Sequence, residues 1–194
     1  PEPYEINITL FDAMKESFNK EVNLYVERFI CIHAIMLSLE GVPAFYIHSL
    51  FGTRNDYALY KQTNQNRSLN RGKIKISEID LSNESEPQSH IFLQLKKLML
   101  IRKKQPAFHP NAVQFTLHLG SNLYGIWRQS LDKKQSIFCI SNLTDEVVNL
   151  SLLDLNLIGF DHWRDIITEI EIDDITSEIE LRPYQTMWLT NLQD

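Results

Sequence analysis

At 194 residues and 43% hydrophobic content, the chain can fill one large domain or two small ones, which sets disorder aside. Nineteen basic residues against 25 acidic ones give a net charge of -6. The basic residues cluster only at Arg102 to Lys104, so a nucleic-acid partner is not expected.

Residues 19 to 40 place Val22, Val26, Phe29, Ile32 or His33, and Met36 at helical spacing, and the second half of that run is apolar all round. The pattern predicts a helix packed on two sides, stopped by Gly41. "VPAFYIH", Val42 to His48, then predicts a short strand too apolar to have a wet face. Helix into buried strand through a tight glycine link is an α/β unit. Some 40 polar residues with weak order signals follow, Ser49 to Pro87. A loop of that length inside a compact domain usually has a function.

A second helix is predicted from about Pro87 to Lys104, with Ile91, Leu95, Leu98 and Arg102 on one stripe and Phe92 and Met99 beside it. "QPAFHP" ends it, because proline cannot continue the helix. Beyond Pro110 the period becomes two. Phe115, Leu117 and Leu119 alternate with Thr116 and His118, Ile137 to Ile140 and Val147 to Leu152 behave similarly, and "LGSN" and "LDKK" supply turns. "RPYQTMWLTN" is the last strand, so an antiparallel β-domain follows an α/β piece.

The longest apolar stretch, Phe29 to Leu39, contains His33 and is far short of the roughly 20 residues a membrane span needs, so no membrane partner is expected. No signal peptide stands before it, which points to the cytoplasm. The chain opens on Pro1, in a polar, turn-like stretch, as a piece of something longer would. Cys31 and Cys139 sit in apolar runs far apart in sequence and read as structural thiols. Six histidines show no ligand spacing, so neither a metal nor a cofactor is expected. The acidic run Glu169 to Glu180 reads as a solvated face.

Within the polar loop, "NQNRSLNR" (residues 64 to 71) gathers two arginines, three asparagines, a glutamine and a serine. At the C-terminal end of a buried strand, such directed donors match a ligand rich in hydroxyls or carrying phosphate. Equally, they could tie the loop to its own backbone. Three asparagines and a serine favour turns over a helix, so one arginine faces ligand while the other faces protein. His48 reads as a supporting histidine and Asp56 as a cap or loop tie.

"PYEINITLFDAM", "RFICIHAIMLSLEGVPAFYIHSLFGTRNDY", "NRSLNR" and "LKKLMLIRKKQPAFHP", in that order, resemble the C-terminal part of an α-amylase-superfamily enzyme, nearest to its sucrose phosphorylase subfamily. The resemblance implies a fold of class α/β plus all-β. Residues 1–108 would be the C-terminal sector of a (β/α)8 TIM barrel: the loop after strand seven, helix seven, strand eight at Val42 to His48, its loop and helix eight. Residues 109–194 would be an antiparallel β-sandwich domain.

Members of that family are retaining enzymes whose carboxylates lie on barrel strands four, five and seven. The resemblance thus implies that this chain holds no catalytic residue and supplies binding loops. Arg67 matches the arginine that reaches the glucosyl hydroxyls, with Asn66 in place of a glycine and Ser68 in place of an acid. Asn70 and Arg71 belong to the same binding segment, with holding the loop as their expected part. Tyr4 falls on a tyrosine implicated with phosphate, and Glu5 on a glutamine that faces the acceptor. A carboxylate at Glu5 cannot donate and repels phosphate, which counts against sucrose and keeps glucosylglycerate open. The partners implied are an α-glucoside such as sucrose or glucosylglycerate and inorganic phosphate in the complete enzyme, with either the missing N-terminal half or self-association. The alternative is a non-catalytic sugar-binding or interaction module derived from that family.

Overall fold

The computed structural model describes residues 6–16, 24–75, 77, 79, 81, 83, 85–155 and 162–191. Among the described residues five α-helices come first: α1 (Leu10–Glu16), α2 (Tyr25–Ser38), α3 (Ile47–Leu50), α4 (Tyr57–Thr63) and α5 (Pro87–Lys104). Strands β1 (Val113–Leu117), β2 (Leu123–Gln129), β3 (Ser136–Asn142) and β4 (Val148–Ser151) follow. Then come β5 (Trp163–Asp165), β6 (Ile170–Ile172), β7 (Glu178–Leu181) and β8 (Thr186–Thr190). Helix gives way to strand between Lys104 and Val113, across a 3-10 turn at Pro106–Phe108. The chain forms two compact units, residues 1–29 with 44–96 and residues 30–43 with 97–194, so α2 and α5 each contribute to both.

In the first unit Thr9 opens α1, its hydroxyl accepting the Asp12 N–H at 3.3 Å. Phe11 meets Phe29 edge-on, ring centroids 5.2 Å apart, and leans on Tyr25 at 5.3 Å. Gly52 adopts φ 53°, and a Cβ there would stand 2.5 Å from Ile91 Cδ1, so the turn after α3 needs glycine twice over. Beside it Phe51 stacks on Phe92 at 5.1 Å. The apolar stripe of α5 is buried as its spacing predicts, with Ile91 and Leu95 fully enclosed.

One element differs from expectation. Val42 to Tyr46 belongs to no helix and joins no sheet, and Ile47 already begins α3. Val42 is 80% exposed and Tyr46 54%, so the segment has the wet face its composition appeared to forbid. The cause is the absence of a neighbour. A strand is completed by ladder bonds to strands beside it, and among the described residues none pairs with this segment.

The second unit is built on a six-stranded sheet of order β1-β2-β3-β8-β5-β6 and a two-stranded sheet of β4 and β7, with every pairing antiparallel. Phe138, Ile140, Met187 and Leu189 from one face of the large sheet join Leu150, Leu152, Trp163 and Leu181 in the main core. Alternation sends Ile137, Cys139 and Trp188 to the opposite face, where they are also buried. There Trp188 meets Phe108, ring centroids 4.8 Å apart. Covered on both faces, β3 is buried at all seven positions rather than at every second one.

Two arginines are enclosed with these aromatics. Arg128 is fully buried and Arg102 8% exposed, their guanidinium carbons 5.9 and 5.0 Å from the Phe108 ring centre. Arg128 donates to the carbonyls of Ser38 (2.9 Å), His109 (3.1 Å), Ala112 (3.3 Å) and Val113 (3.4 Å). Arg102 donates to Gly41 O at 3.0 Å. These bonds hold the carbonyl end of α2 and the link into β1. Both cysteines are buried free thiols, and burial pushes the Cys139 thiol far above its ordinary range, where it is unreactive.

Candidate functional site

The polar loop carries more structure than its composition suggests. His48 is buried within α3 and its Nδ1 lies 2.7 Å from Thr53 Oγ1, while burial lowers its pKa, so the ring is a neutral, bonded support. Asn55 ties the loop to α1: its N–H donates to Asp12 Oδ2 at 2.7 Å, and its Oδ1 accepts the Thr9 N–H at 2.8 Å. Asp56 caps α4, Oδ1 accepting the Leu59 N–H at 2.8 Å, which is the cap reading made from sequence. Asn64 ends α4 in the left-handed conformation at φ 51°, its N–H returning to Tyr60 O.

"NQNRSLNR" then folds back. A 3-10 turn covers Asn66–Ser68, and the Asp56 N–H donates to Leu69 O at 2.7 Å, closing the loop on itself. Thr63 Oγ1 sits 2.6 Å from Ser68 Oγ. Thus the segment is turn-rich, with only a single helical turn around Arg67. Arg67 and Arg71 are exposed, whereas Asn70 is partly buried, its Oδ1 enclosed without a hydrogen-bond partner among the described residues. Tyr4 and Glu5 lie outside the described residues.

Beside this loop is a cavity of about 600 Å³, walled by residues 53–58 on one side and 72–75 on the other. Its volume lies in the range of small-molecule sites, about 300–1,000 Å³. Gly72 lets the walls approach, since a Cβ there would stand 3.0 Å from Asp56 Oδ2. Arg54, Lys73 and Lys75 line the cavity, and sequence reading passed over all three. The signal was present in "KIKIS", where lysine alternates with isoleucine inside an otherwise polar stretch. Among the described residues Asp56 is the one carboxylate that lines the cavity, and it caps α4. Among the described residues no three His, Cys, Asp or Glu side chains gather as metal ligands would, and no helix is long and apolar enough to cross a membrane.

The arrangement can bind and orient a small polar ligand. No protein-family model matches the chain. The glucosylglycerate phosphorylase of Escherichia coli is 36% identical over 192 residues, which are 96% of this chain and 32% of that enzyme. That of Allomeiothermus silvanus is 33% identical over 97% of this chain and 32% of its own length. A sucrose phosphorylase from Agrobacterium vitis is 29% identical over 106 residues, 55% of this chain and 19% of the enzyme. The chain therefore spans about a third of the length of the first of these curated relatives.

Among solved structures, AmyP in complex with maltose superposes with a TM-score of 0.71 at 18% identity, over 92% of this chain and 37% of that one. Trehalose-6-phosphate hydrolase of Bacillus licheniformis gives 0.59 at 16%, over 88% and 40%. At such identities the likeness speaks for the fold: the end of a (β/α)8 barrel followed by an antiparallel β-domain. Sequence relatives along its length and these neighbours in fold support the α-amylase superfamily, and within it the sucrose phosphorylase subfamily, as the family that the chain resembles.

Proposed function

We propose that the chain is the substrate-binding C-terminal portion of a retaining α-glucosyl-transferring phosphorylase, with glucosylglycerate as its glucoside and inorganic phosphate as the second substrate. The carrying observation is the extent of the match: two glucosylglycerate phosphorylases align over 96% and 97% of the chain, the sucrose phosphorylase over 55%. Residues 1–108 form the end of the catalytic barrel and residues 109–194 the β-domain. The nucleophile and the acid/base come from the rest of the enzyme, in the cytoplasm.

Arg67, exposed on its 3-10 turn, donates to the hydroxyls of the glucosyl unit, a contact lysine cannot imitate because it lacks the planar fork. Asn70 and Arg71 hold the loop around the same pocket, and Tyr4 and Glu5 serve phosphate and acceptor. The exposed Val42, Tyr46 and Ile47 support association of this segment with strands of the N-terminal half.

In the complete enzyme, glucosylglycerate and phosphate should give glucose 1-phosphate, with Arg67→Ala lowering kcat/KM by roughly 10- to 150-fold, the equivalent of about 1.5–3 kcal/mol for a lost charged hydrogen bond. The melting temperature should stay near that of the parent. The isolated chain should cleave nothing. A complete enzyme that used sucrose but not glucosylglycerate, or covalent glucosyl labelling of a carboxylate in this chain, would overturn the reading.

A further inference from the structure

Asn55 joins the polar loop to the stretch that enters α1 through a closed ring of hydrogen bonds. Its Oδ1 accepts the Thr9 N–H at 2.8 Å, the Asp12 N–H donates to Thr9 Oγ1 at 3.3 Å, and the Asn55 N–H donates to Asp12 Oδ2 at 2.7 Å. The two bonds made by Asn55 bridge sequence separations of 46 and 43 residues. Thr9 and Asp12 are buried, so opening the ring leaves enclosed polar groups without those partners. Arg54 spans the same gap, its guanidinium carbon 5.9 Å from the Phe11 ring centre.

Behind Asn55 the chain is fixed. Phe51 stacks on Phe92, and His48 Nδ1 lies 2.7 Å from Thr53 Oγ1. Asp56, the next residue, is engaged elsewhere: its N–H donates to Leu69 O at 2.7 Å, and its Oδ1 caps α4. The two neighbours divide the work, Asp56 holding the 64–71 segment and Asn55 holding residues 9–12. The cap of α1 is made by Thr9 Oγ1, so the Asn55 bonds fix where α1 starts rather than whether it forms.

We infer that Asn55 is a positioning residue: it sets the stretch entering α1 against the loop that carries Arg67, and through it the affinity for phosphate. The inference rests on the functional reading above, in which Tyr4, five residues before Thr9, serves phosphate. Misplacing a binding group by about 1 Å weakens its contact, and a rigid anchor prevents that drift.

The test is steady-state phosphorolysis by the complete enzyme, read as KM for phosphate against kcat. Asn55→Ala and Asp12→Ala open the ring from its two sides. Each should raise that KM about 2- to 10-fold, the range for one lost hydrogen bond, with kcat within about twofold of the parent. Asp12→Asn keeps an oxygen that can accept the Asn55 N–H and should restore the parental KM. In the chain itself the Thr9 amide should exchange with solvent at least about tenfold faster in Asn55→Ala. A residue that only stabilised the fold would lower the melting temperature and leave KM alone. An unchanged KM in a folded Asn55→Ala or Asp12→Ala enzyme, an Asp12→Asn enzyme as impaired as Asp12→Ala, or equal Thr9 protection would overturn the inference.

The phosphate KM separates this role from the choice of glucoside. A complete enzyme that used sucrose but not glucosylglycerate, with the KM shift present, keeps the role and removes the glucosylglycerate reading. Turnover of glucosylglycerate with the KM shift absent keeps the reading and removes the role.

Discussion

"SIFCISN" in β3 and "VPAFY" at residues 42–46 are both short apolar runs of the kind that make buried strands, and they meet opposite fates. β3 lies between β2 and β8 and is buried at every position. Val42 to Tyr46 has no ladder, and it turns Val42, Ala44 and Tyr46 to solvent. The difference lies in the neighbours. A strand's N–H and C=O groups are satisfied by adjacent strands, and its side chains gain burial only when both faces are covered.

Substitutions should expose this contrast most sharply at the covered sheet. Trp188→Ala removes a fully buried ring packed on Phe108 and should cost about 3–5 kcal/mol in urea unfolding. Trp127 and Trp163 belong to the same unit, so fluorescence of the remaining tryptophans follows that unit's unfolding. A loss under about 1 kcal/mol, the level of an average substitution, would mean that the second face of the sheet is not truly packed.

Arg128→Met should come next, at about 1.5–3 kcal/mol, because four carbonyls lose a charged donor while the apolar stem is kept. If the variant were as stable as the parent, the buried guanidinium would be incidental to how α2 and the link into β1 are held.

Acidity should move the contributions of two buried groups, Asp165 and His48, in opposite directions. Burial raises the Asp165 pKa above its ordinary 3.8, so the folded second unit binds more protons than the unfolded chain. Its contribution to stability is therefore greatest at low pH and falls as pH rises from about 4 through the raised folded value. Asp165→Asn should flatten that slope, since the amide oxygen can still accept the Ile167 and Trp188 N–H groups. Asp132 and Asp174, held below the usual carboxylate range chiefly by Ser130 and Thr176 hydroxyls, are common to parent and variant and cancel in the comparison. His48 in the first unit has the reverse sign: burial lowers its pKa below 6.5, so acidification through that region withdraws stability. Parallel slopes for the parent and Asp165→Asn between pH 4 and 7 would rule out the carboxylate's part.

The smallest effect should be at Val42. With the side chain 80% exposed, Val42→Ala should change the stability of the chain by no more than about 0.5 kcal/mol. In the complete enzyme the same change should cost more, if strands of the N-terminal half cover the segment. An equal, small effect in both would refute that coverage.

The two long helices were legible because each carries enough apolar positions at helical spacing to set its buried face: Ile91, Leu95 and Leu98 lie on one stripe of α5, as read. Even Arg102, placed on that stripe by spacing alone, is buried. The strands after Pro110 and the turns at Gly120 and Lys133, both at positive φ, follow from period two and turn residues. Arg128 was not legible. Its burial depends on carbonyls from Ser38, His109 and Ala112, which no local pattern announces. At the candidate site, "NQNRSLNR" drew attention through its side-chain chemistry, and its turn-rich course followed from its asparagines. The cations of the neighbouring cavity did not stand out, because Arg54 and Lys73 are separated by 18 intervening residues and meet only after the loop folds back.

Local covalent preference and hydrophobic period thus determined, from sequence alone, the two long helices, the change to strands after Pro110 and the long polar segment in the middle of the chain. Tertiary structure decided the rest. Whether an apolar run becomes a paired strand, whether an arginine is buried, and which charges share a cavity all depend on groups brought together from afar. The free energy of each depends on its partners: a ladder bond, a carbonyl acceptor or a neighbouring charge.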